Sequence, residues 1–269
     1  MTQSNRFDAY TPAEVLEKVL SGGVVKTSLP LSRQLPLTFL AGLYIGLGGL
    51  FASHFLSDAS LSFAVQKFGA GAVFSLGLSL VLIAGAELYT GNTMIAASAA
   101  ERRISWGATL GNWVRVWIGN ALGALTLVGL VYLAHTADTG PMARGMLSVA
   151  AGKLGADWIT IFVKGILCNL LVCLGVWVGY AGRTVADKVF GVLLPVSAFV
   201  ALGFEHCVAN LYFLPLGMLL TASGYAVEGV DPALFTWVNV FKNLTAATLG
   251  NTLAGVSLAM LYRAAYGKR

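Results

Sequence analysis

The sequence contains few charged residues. Of its 269 residues, 17 are lysine or arginine and 12 are aspartate or glutamate, so 11% carry a charge, against about 25% in an ordinary soluble domain. So few charges cannot cover the surface of a water-soluble globule of this size. With 57% apolar residues and a mean hydropathy of +0.77, the chain is predicted to be a polytopic all-α membrane protein.

Cysteine, basic runs and catalytic motifs are also scarce. Cys168, Cys173 and Cys207 lie in apolar stretches without C-x-x-C spacing, so neither a disulfide framework nor a metal site is predicted. No basic run exceeds two adjacent residues, which argues against nucleic acid as a partner. G-x-S-x-G and H-E-x-x-H are absent and no aspartate lies within a predicted span. We therefore predict no enzyme activity and no cofactor.

Stretches with few or no charged residues divide the chain into membrane passes, since a helical span needs about 20 apolar residues. Two of these stretches are too long for one span and too short for two, and each contains a single glutamate, Glu87 or Glu205. We predict six passes, with the second and fifth irregular. They are 34–57, 68–100, 106–134, 158–182, 189–220 and 235–262.

The segment before the first pass is predicted to contain an amphipathic helix at the membrane surface. Thr11-Pro12-Ala13-Glu14 has the form of a capping box, and apolar residues follow it at helical spacing until Gly22-Gly23. Scattered charges argue against a signal peptide. The predicted organisation is a cytoplasmic segment 1–34, one channel domain 35–262 and a cytoplasmic tail 263–269.

The distribution of lysine and arginine predicts the orientation. Six passes put Lys67, Arg144, Lys153 and Lys242 on one side, leave Lys164 within the membrane, and put the remaining 12 of the 17 basic residues on the side of both termini. The positive-inside rule therefore predicts that both termini are cytoplasmic. The expected location is the inner (cytoplasmic) membrane.

The two irregular passes resemble each other, which predicts an internal repeat. A shift of 118 residues carries Glu87 onto Glu205 and Asn92 onto Asn210, and Gly119-Asn120 recurs as Gly250-Asn251. Three passes in each half make this a 3+3 inverted repeat with broken second and fifth helices. Such breaks indicate a transport site, and half-helix N-termini at membrane depth favour an anion.

Three strings of residues resemble the formate/nitrite transporter family: G-A-E-L-Y-T-G-N-T-M (85–94), K-G-I-L-C-N (164–169) and G-F-E-H-C-V-A-N (203–210). The resemblance runs from Lys26 to Asn251 and implies a homopentamer of aquaporin-like protomers, each with a pore for small monovalent anions of weak acids. It also implies roles for particular residues. These are Thr90, His206, Asn169 and Asn251 in the pore, Phe74, Leu78, Leu88 and Phe199 at two apolar constrictions, and Lys26 and Lys153 in the vestibules.

The ionisable residues at membrane depth are predicted to have different roles. His206 is the one histidine deep in a pass, and its usual pKa near 6.5 suits a residue that binds or relays protons. Glu87 and Glu205 are predicted to tie loop N–H groups or helix ends together, with Asn92 and Asn210 in support. Lys164 either attracts anions, reaches an interface or pairs with a glutamate, and the sequence leaves these open.

We predict a bidirectional channel for formate, with nitrite, hydrosulfide or lactate as alternatives. Thr90-Gly91-Asn92 is similar to nitrite-type, hydrosulfide-type and lactate-type members, whereas Phe74-Ser75-Leu76-Gly77-Leu78 is similar to the formate branch. Transport is expected to include a proton, so that the acid crosses the constriction as a neutral molecule. A water or glycerol channel is the alternative of a different class, but no Asn-Pro-Ala motif occurs.

Overall fold

The computed structural model describes residues 8–267, and within them it contains helices and no strand. Residues 1–7 and 268–269, which include three basic residues of the orientation prediction, lie outside the described residues. The helices of 13 or more residues are α1 (Pro12–Ser28), α2 (Leu31–Ser57), α3 (Phe63–Leu80), α6 (Trp106–Leu133), α7 (Met142–Leu154), α8 (Trp158–Ala181), α9 (Val185–Ala201), α10 (Cys207–Ala222) and α11 (Trp237–Tyr266). Two short helices, α4 (Tyr89–Asn92) and α5 (Ala96–Ala100), lie between α3 and α6.

Five helical segments are long and apolar enough to cross a membrane, which confirms the prediction of a multi-pass membrane protein. They are Leu31–Ser57, Phe63–Gly85, Trp106–Leu133, Trp158–Ala181 and Trp237–Tyr266, and α10 is a shorter apolar helix. Helical segments thus occupy all six predicted passes, an arrangement consistent with the 3+3 repeat. Helix α11 runs to Tyr266, so the first part of the predicted tail is helical.

The second and fifth passes are interrupted at the two predicted positions. A π-helical turn after α3 ends at Gly85, the chain is extended at Ala86, and α4 begins at Tyr89. In the other half, α9 ends at Ala201 and α10 begins at Cys207. Gly85 and Gly203 have φ of +84° and +67°. Because this conformation strains any residue with a Cβ atom, both turns require glycine.

Helices α1 and α7 occupy corresponding places in the two halves. The predicted capping box is confirmed, since Thr11 and Glu14 bond each other's backbone N–H at the start of α1. Helix α7 was not predicted, but a shift of 127 residues carries Lys26 in the last turn of α1 onto Lys153 in the last turn of α7. Each half therefore comprises a short helix, a long helix, a broken helix and a second long helix.

The two halves also pack alike. Helix α2 lies along α6 as α8 lies along α11, and α3 meets α9 where the halves join. Ion pairs link Glu17 of α1 to Arg103 after α5, and Glu101 to Arg263 near the end of α11, each at 2.5 Å. These contacts bring the beginning and the end of the described chain to the same side of the molecule.

Candidate functional site

The break between α3 and α4 is held by a buried polar cluster. The Lys26 ammonium lies 3.0 Å from one oxygen of the Glu87 carboxylate, and the Asn92 amide donates to the other oxygen at 2.7 Å. Lys26 also donates to the side-chain amide oxygen of Asn92 at 2.6 Å. The amide of Asn112 on α6 donates to the Lys26 backbone carbonyl at 3.2 Å. The cluster thus fastens the end of α1 and the face of α6 to the break.

Burial acts to lower the pKa of Lys26, but attraction to Glu87 and Tyr180 and the hydrogen bond to Glu87 together raise it above its ordinary value. Lys26 therefore carries its charge in this cluster, and the nearby Glu87 offsets that charge.

The break between α9 and α10 is held by the same kind of cluster. Lys153 lies 3.0 Å from the Glu205 carboxylate, and Asn210 donates to that carboxylate at 2.7 Å. The amide of Asn243 on α11 donates to the Lys153 backbone carbonyl at 3.1 Å. Within residues 8–267, the two glutamate carboxylates bond lysine and asparagine side chains rather than loop N–H groups.

Two buried asparagines fix the backbone of the breaks. Asn120 accepts the Tyr89 N–H at 2.9 Å and donates to the Glu87 carbonyl at 2.9 Å. Asn251 accepts the Cys207 N–H at 2.9 Å and donates to the Glu205 carbonyl at 2.9 Å. The first N–H of α4 and of α10 is therefore already bonded. Each asparagine side chain supplies hydrogen-bond partners for backbone N–H and C=O groups of a non-helical segment, which in a membrane cannot rely on water for them.

Asn169 on α8 lies beside the first break. Its amide donates to the Asn251 carbonyl at 2.6 Å, to the Thr93 hydroxyl at 3.2 Å and to the Thr90 carbonyl at 3.3 Å. Its side-chain oxygen is buried and has no partner in the part of the chain described. Asn169 thus bonds to groups around Thr90, and Asn251 bonds to backbone around the Glu205 break, so we expect both to position the pore segments.

His206 and Thr90 meet where the two breaks face each other. The Nε2 atom of His206 lies 3.1 Å from the Thr90 hydroxyl, and Nδ1 accepts the Ala209 N–H at 3.0 Å as the cap of α10. Because Nδ1 is an acceptor, the neutral ring carries its proton on Nε2. Nε2 then donates to Thr90, and the Thr90 hydroxyl proton is free to point at a third group.

Apolar side chains enclose this pair. The rings of Phe74 and Phe199 meet edge to face at 5.6 Å, and the Phe199 ring stacks against His206 at 5.9 Å. All four predicted constriction residues are buried, with relative exposures of 4% or less. They are Phe74, Leu78, Leu88 and Phe199.

Two cavities approach the pair from opposite ends of α2. The α1-side cavity, of about 540 Å³, is lined by Lys26, Leu37, Glu87 and Leu88 among others. The α7-side cavity, of about 250 Å³, is lined by residues that include the second part of α2, three lysines, Glu205 and His206. The two cavities share no lining residue, and Thr90 lies in neither. Leu88 borders the α1-side cavity and Phe74 and Phe199 border the α7-side cavity, so these apolar side chains, with the buried Leu78, form an apolar layer between the two.

Sequence reasoning found most of this site but not Asn112 and Asn243. These residues are 131 positions apart, the same shift that relates Asn120 to Asn251. Applying that shift along the whole of the third and sixth passes would have found them. Lys164 lines the α7-side cavity, and within residues 8–267 no carboxylate lies within ion-pair distance of it.

Comparisons with known proteins agree with the fold. A family model described as "Formate/nitrite transporter" matches residues 13–265. The formate channel FocA of Escherichia coli strain K12 is 34% identical over 95% of this chain and 93% of its own length. A solved structure described as an FNT family ion channel has a TM-score of 0.82 at 28% identity, covering 95% of this chain and 99% of its own. A structure described as a pentameric formate channel with formate bound has a TM-score of 0.79 at 33% identity, covering 88% and 98%.

Proposed function

Because the chain belongs to the formate/nitrite transporter family, a family of channels and transporters rather than enzymes, we propose that it conducts small monovalent anions of weak acids, and formate in particular. We further propose that it assembles as a homopentamer in the inner membrane, with both termini in the cytoplasm. The observation that carries the substrate class is the hydrogen-bonded pair of Thr90 and His206 within an apolar layer.

The apolar layer sets the main requirement on the transported species. Moving a carboxylate-sized ion from water into a medium of dielectric constant about 4 costs on the order of 20 kcal/mol in the idealised Born estimate. Phe74, Leu78, Leu88 and Phe199 offer no charge to offset that cost. We infer that the anion gains a proton near the layer and crosses it as the neutral acid, in either direction.

The hydrogen bonds of His206 bear on the source of that proton. A charged imidazolium needs a proton on Nδ1, where the Ala209 N–H already donates. Charging His206 would therefore break the cap of α10. This geometry favours water in a cavity as the proton source, with neutral His206 orienting the Thr90 hydroxyl toward the substrate.

Flux measurements in proteoliposomes containing a pH-sensitive dye test this proposal. Uptake of the neutral acid acidifies the lumen, because the acid dissociates after crossing, whereas passage of the bare anion does not. We expect rapid formate uptake with acidification, above the background of protein-free vesicles.

Two results would replace the proposal. Faster uptake of nitrite than of formate would favour the nitrite alternative, which Thr90-Gly91-Asn92 supports. Rapid glycerol uptake without formate uptake would favour a neutral-solute channel.

A further inference from the structure

The α7-side cavity holds an excess of positive charge. Three lysines line it, Lys67, Lys153 and Lys164, together with one glutamate, Glu205. Glu205 pairs with Lys153. Among residues 8–267, neither Lys67 nor Lys164 has a carboxylate within 4 Å, and the described contact of Lys67 is with the ring of Phe63 at 5.8 Å. Two lysines thus line this cavity without an anionic partner in the described part of the chain.

Among the residues that the structure describes, the α1-side cavity has no such excess. Its lining includes one lysine, Lys26, and one glutamate, Glu87, and these two form an ion pair. The position that corresponds to Lys164 is Leu37. The Glu87 N–H donates to the Leu37 carbonyl at 3.1 Å, and the Glu205 N–H donates to the Lys164 carbonyl at 3.4 Å. The repeat therefore places a leucine where the other half has a lysine.

Lys164 also lines the same cavity as two residues of the apolar layer, Phe74 and Phe199. It shares its cavity with Phe199 and His206, and it lies in the second turn of α8 directly behind the Glu205 break. An anion in this cavity therefore has both Lys164 and His206 among the residues that surround it. Lys67, at the start of α3, lines the same cavity.

We propose that Lys164 captures the anion in the α7-side cavity and gives the pore a lower half-saturating concentration from that side. The inference rests on the proposed function, since it assumes that an anion is transported. A lysine in a narrow cavity with apolar walls raises the local concentration of anions by about tenfold or more. The α1-side cavity lacks this effect because Leu37 replaces the lysine.

Capture by Lys164 makes the two sides of the pore differ only at substrate concentrations that approach saturation. A passive pore at equal pH on both sides carries the same flux in both directions at low substrate concentration, because it cannot create a gradient. Stabilising the anion at one mouth therefore lowers the half-saturating concentration from that side and lowers the maximal rate with it. The ratio of the two half-saturating concentrations reports the role of Lys164.

Radiolabelled formate uptake into right-side-out and inverted membrane vesicles measures both concentrations. We expect Lys164→Met to raise the half-saturating concentration from the α7 side about tenfold and to leave the other within about twofold, and Lys164→Arg to restore the native ratio. Leu37→Lys is the mirror variant, and it should lower the half-saturating concentration from the α1 side. Lys188→Met, which removes a lysine that lines neither cavity, should change neither concentration.

The outcomes separate this proposal from the proposed function. If the native protein carries no formate, the proposed function fails before any variant is compared. If it carries formate but Lys164→Met changes both concentrations equally, or neither, capture by Lys164 is overturned and the proposed function stands. Should Lys164→Met fail to fold, Leu37→Lys still decides, because an unchanged α1-side concentration in that variant contradicts the proposal.

Discussion

The two halves of the molecule share the residues that hold the breaks and differ in the residues of the central pair. Each break has a lysine paired with a glutamate, and each has an asparagine on the following helix that bonds the backbone. A shift of 118 residues, however, carries Leu88 onto His206 and Thr90 onto Val208. The scaffold is duplicated, whereas the central pair takes one residue from each half.

The comparison of the two halves distinguishes residues with a structural role from residues with a functional role. A residue that recurs in both halves with the same partners is explained by the breaks that both halves contain. His206, Thr90 and Lys164 have no counterpart of the same chemistry, so the scaffold does not account for them. We infer that permeation depends on the unmatched residues and stability on the matched ones.

The largest expected effect is the loss of one carboxylate from a matched ion pair. Glu87→Gln and Glu205→Gln should each destabilise the protein by about 3–5 kcal/mol, the usual cost of breaking a buried pair. The lower end applies if the lysine left behind reaches water in its cavity. Melting temperatures in detergent should fall by similar amounts for both variants.

The double variants Lys26→Met/Glu87→Gln and Lys153→Met/Glu205→Gln serve as controls, since they leave no unpaired charge. Each should recover part of the lost stability. A large loss in one half and none in the other would contradict the equivalence of the two breaks.

A smaller loss is expected from the matched asparagines. Asn120→Ala and Asn251→Ala each remove three hydrogen bonds to backbone groups. At about 1 kcal/mol net for each bond, the loss is about 3 kcal/mol. Thermal unfolding of the two variants, with Asn239→Ala as a control near the surface, measures this loss. A loss at Asn251 without one at Asn120 would show that the two asparagines do not support their breaks equally.

Thr90→Val tests an unmatched residue. Valine keeps the shape of threonine but removes the hydroxyl that bonds His206, so stability should change little and formate flux should fall about 10- to 100-fold. The range corresponds to a hydrogen bond to a charged group, about 1.5–3 kcal/mol. Thr90→Ser retains the hydroxyl and should retain most of the flux. Equal flux in Thr90→Val and Thr90→Ser would exclude the hydroxyl from permeation.

The smallest effect on stability is expected at Gly91. A Cβ atom there would contact only Val176, at 3.7 Å, so Gly91→Ser fits and should change stability by less than about 0.5 kcal/mol, as for an ordinary exposed position. The serine hydroxyl would join the lining of the α1-side cavity. The ratio of nitrite to formate flux, compared with that of Gly91→Ala, shows whether this position affects substrate choice.

The sequence predicted the long elements well because lipid imposes simple rules on them. The uncharged stretch between Arg33 and Asp58 nearly coincides with α2 (Leu31–Ser57). A glycine two residues before a glutamate indicates the position of each break. Helix α7 was not predicted because it is short and contains Arg144 and Lys153, and charged residues between two membrane passes usually indicate a loop. Its correspondence to α1 through Lys26 and Lys153 was the available signal.

The partners within the site could not be predicted in the same way. Composition identifies Glu87, Lys164 and Glu205 as rare charges, but it does not say which lysine approaches which glutamate. That depends on where α1 and α7 end in space. The apolar layer likewise depends on ring contacts between α3 and α9. It could not be predicted, because nothing in an apolar run distinguishes a pore-lining phenylalanine from one that faces lipid.

His206→Asn gives the most direct test of the claim that unmatched residues carry permeation. Asparagine is a strong helix cap, so it can accept the Ala209 N–H and hold α10, but it lacks the Nε2 donor to Thr90. The account predicts a melting temperature close to that of the native protein and a formate flux lower by about 100-fold, the effect of losing one placed donor. A native flux in a stably folded His206→Asn protein would contradict it.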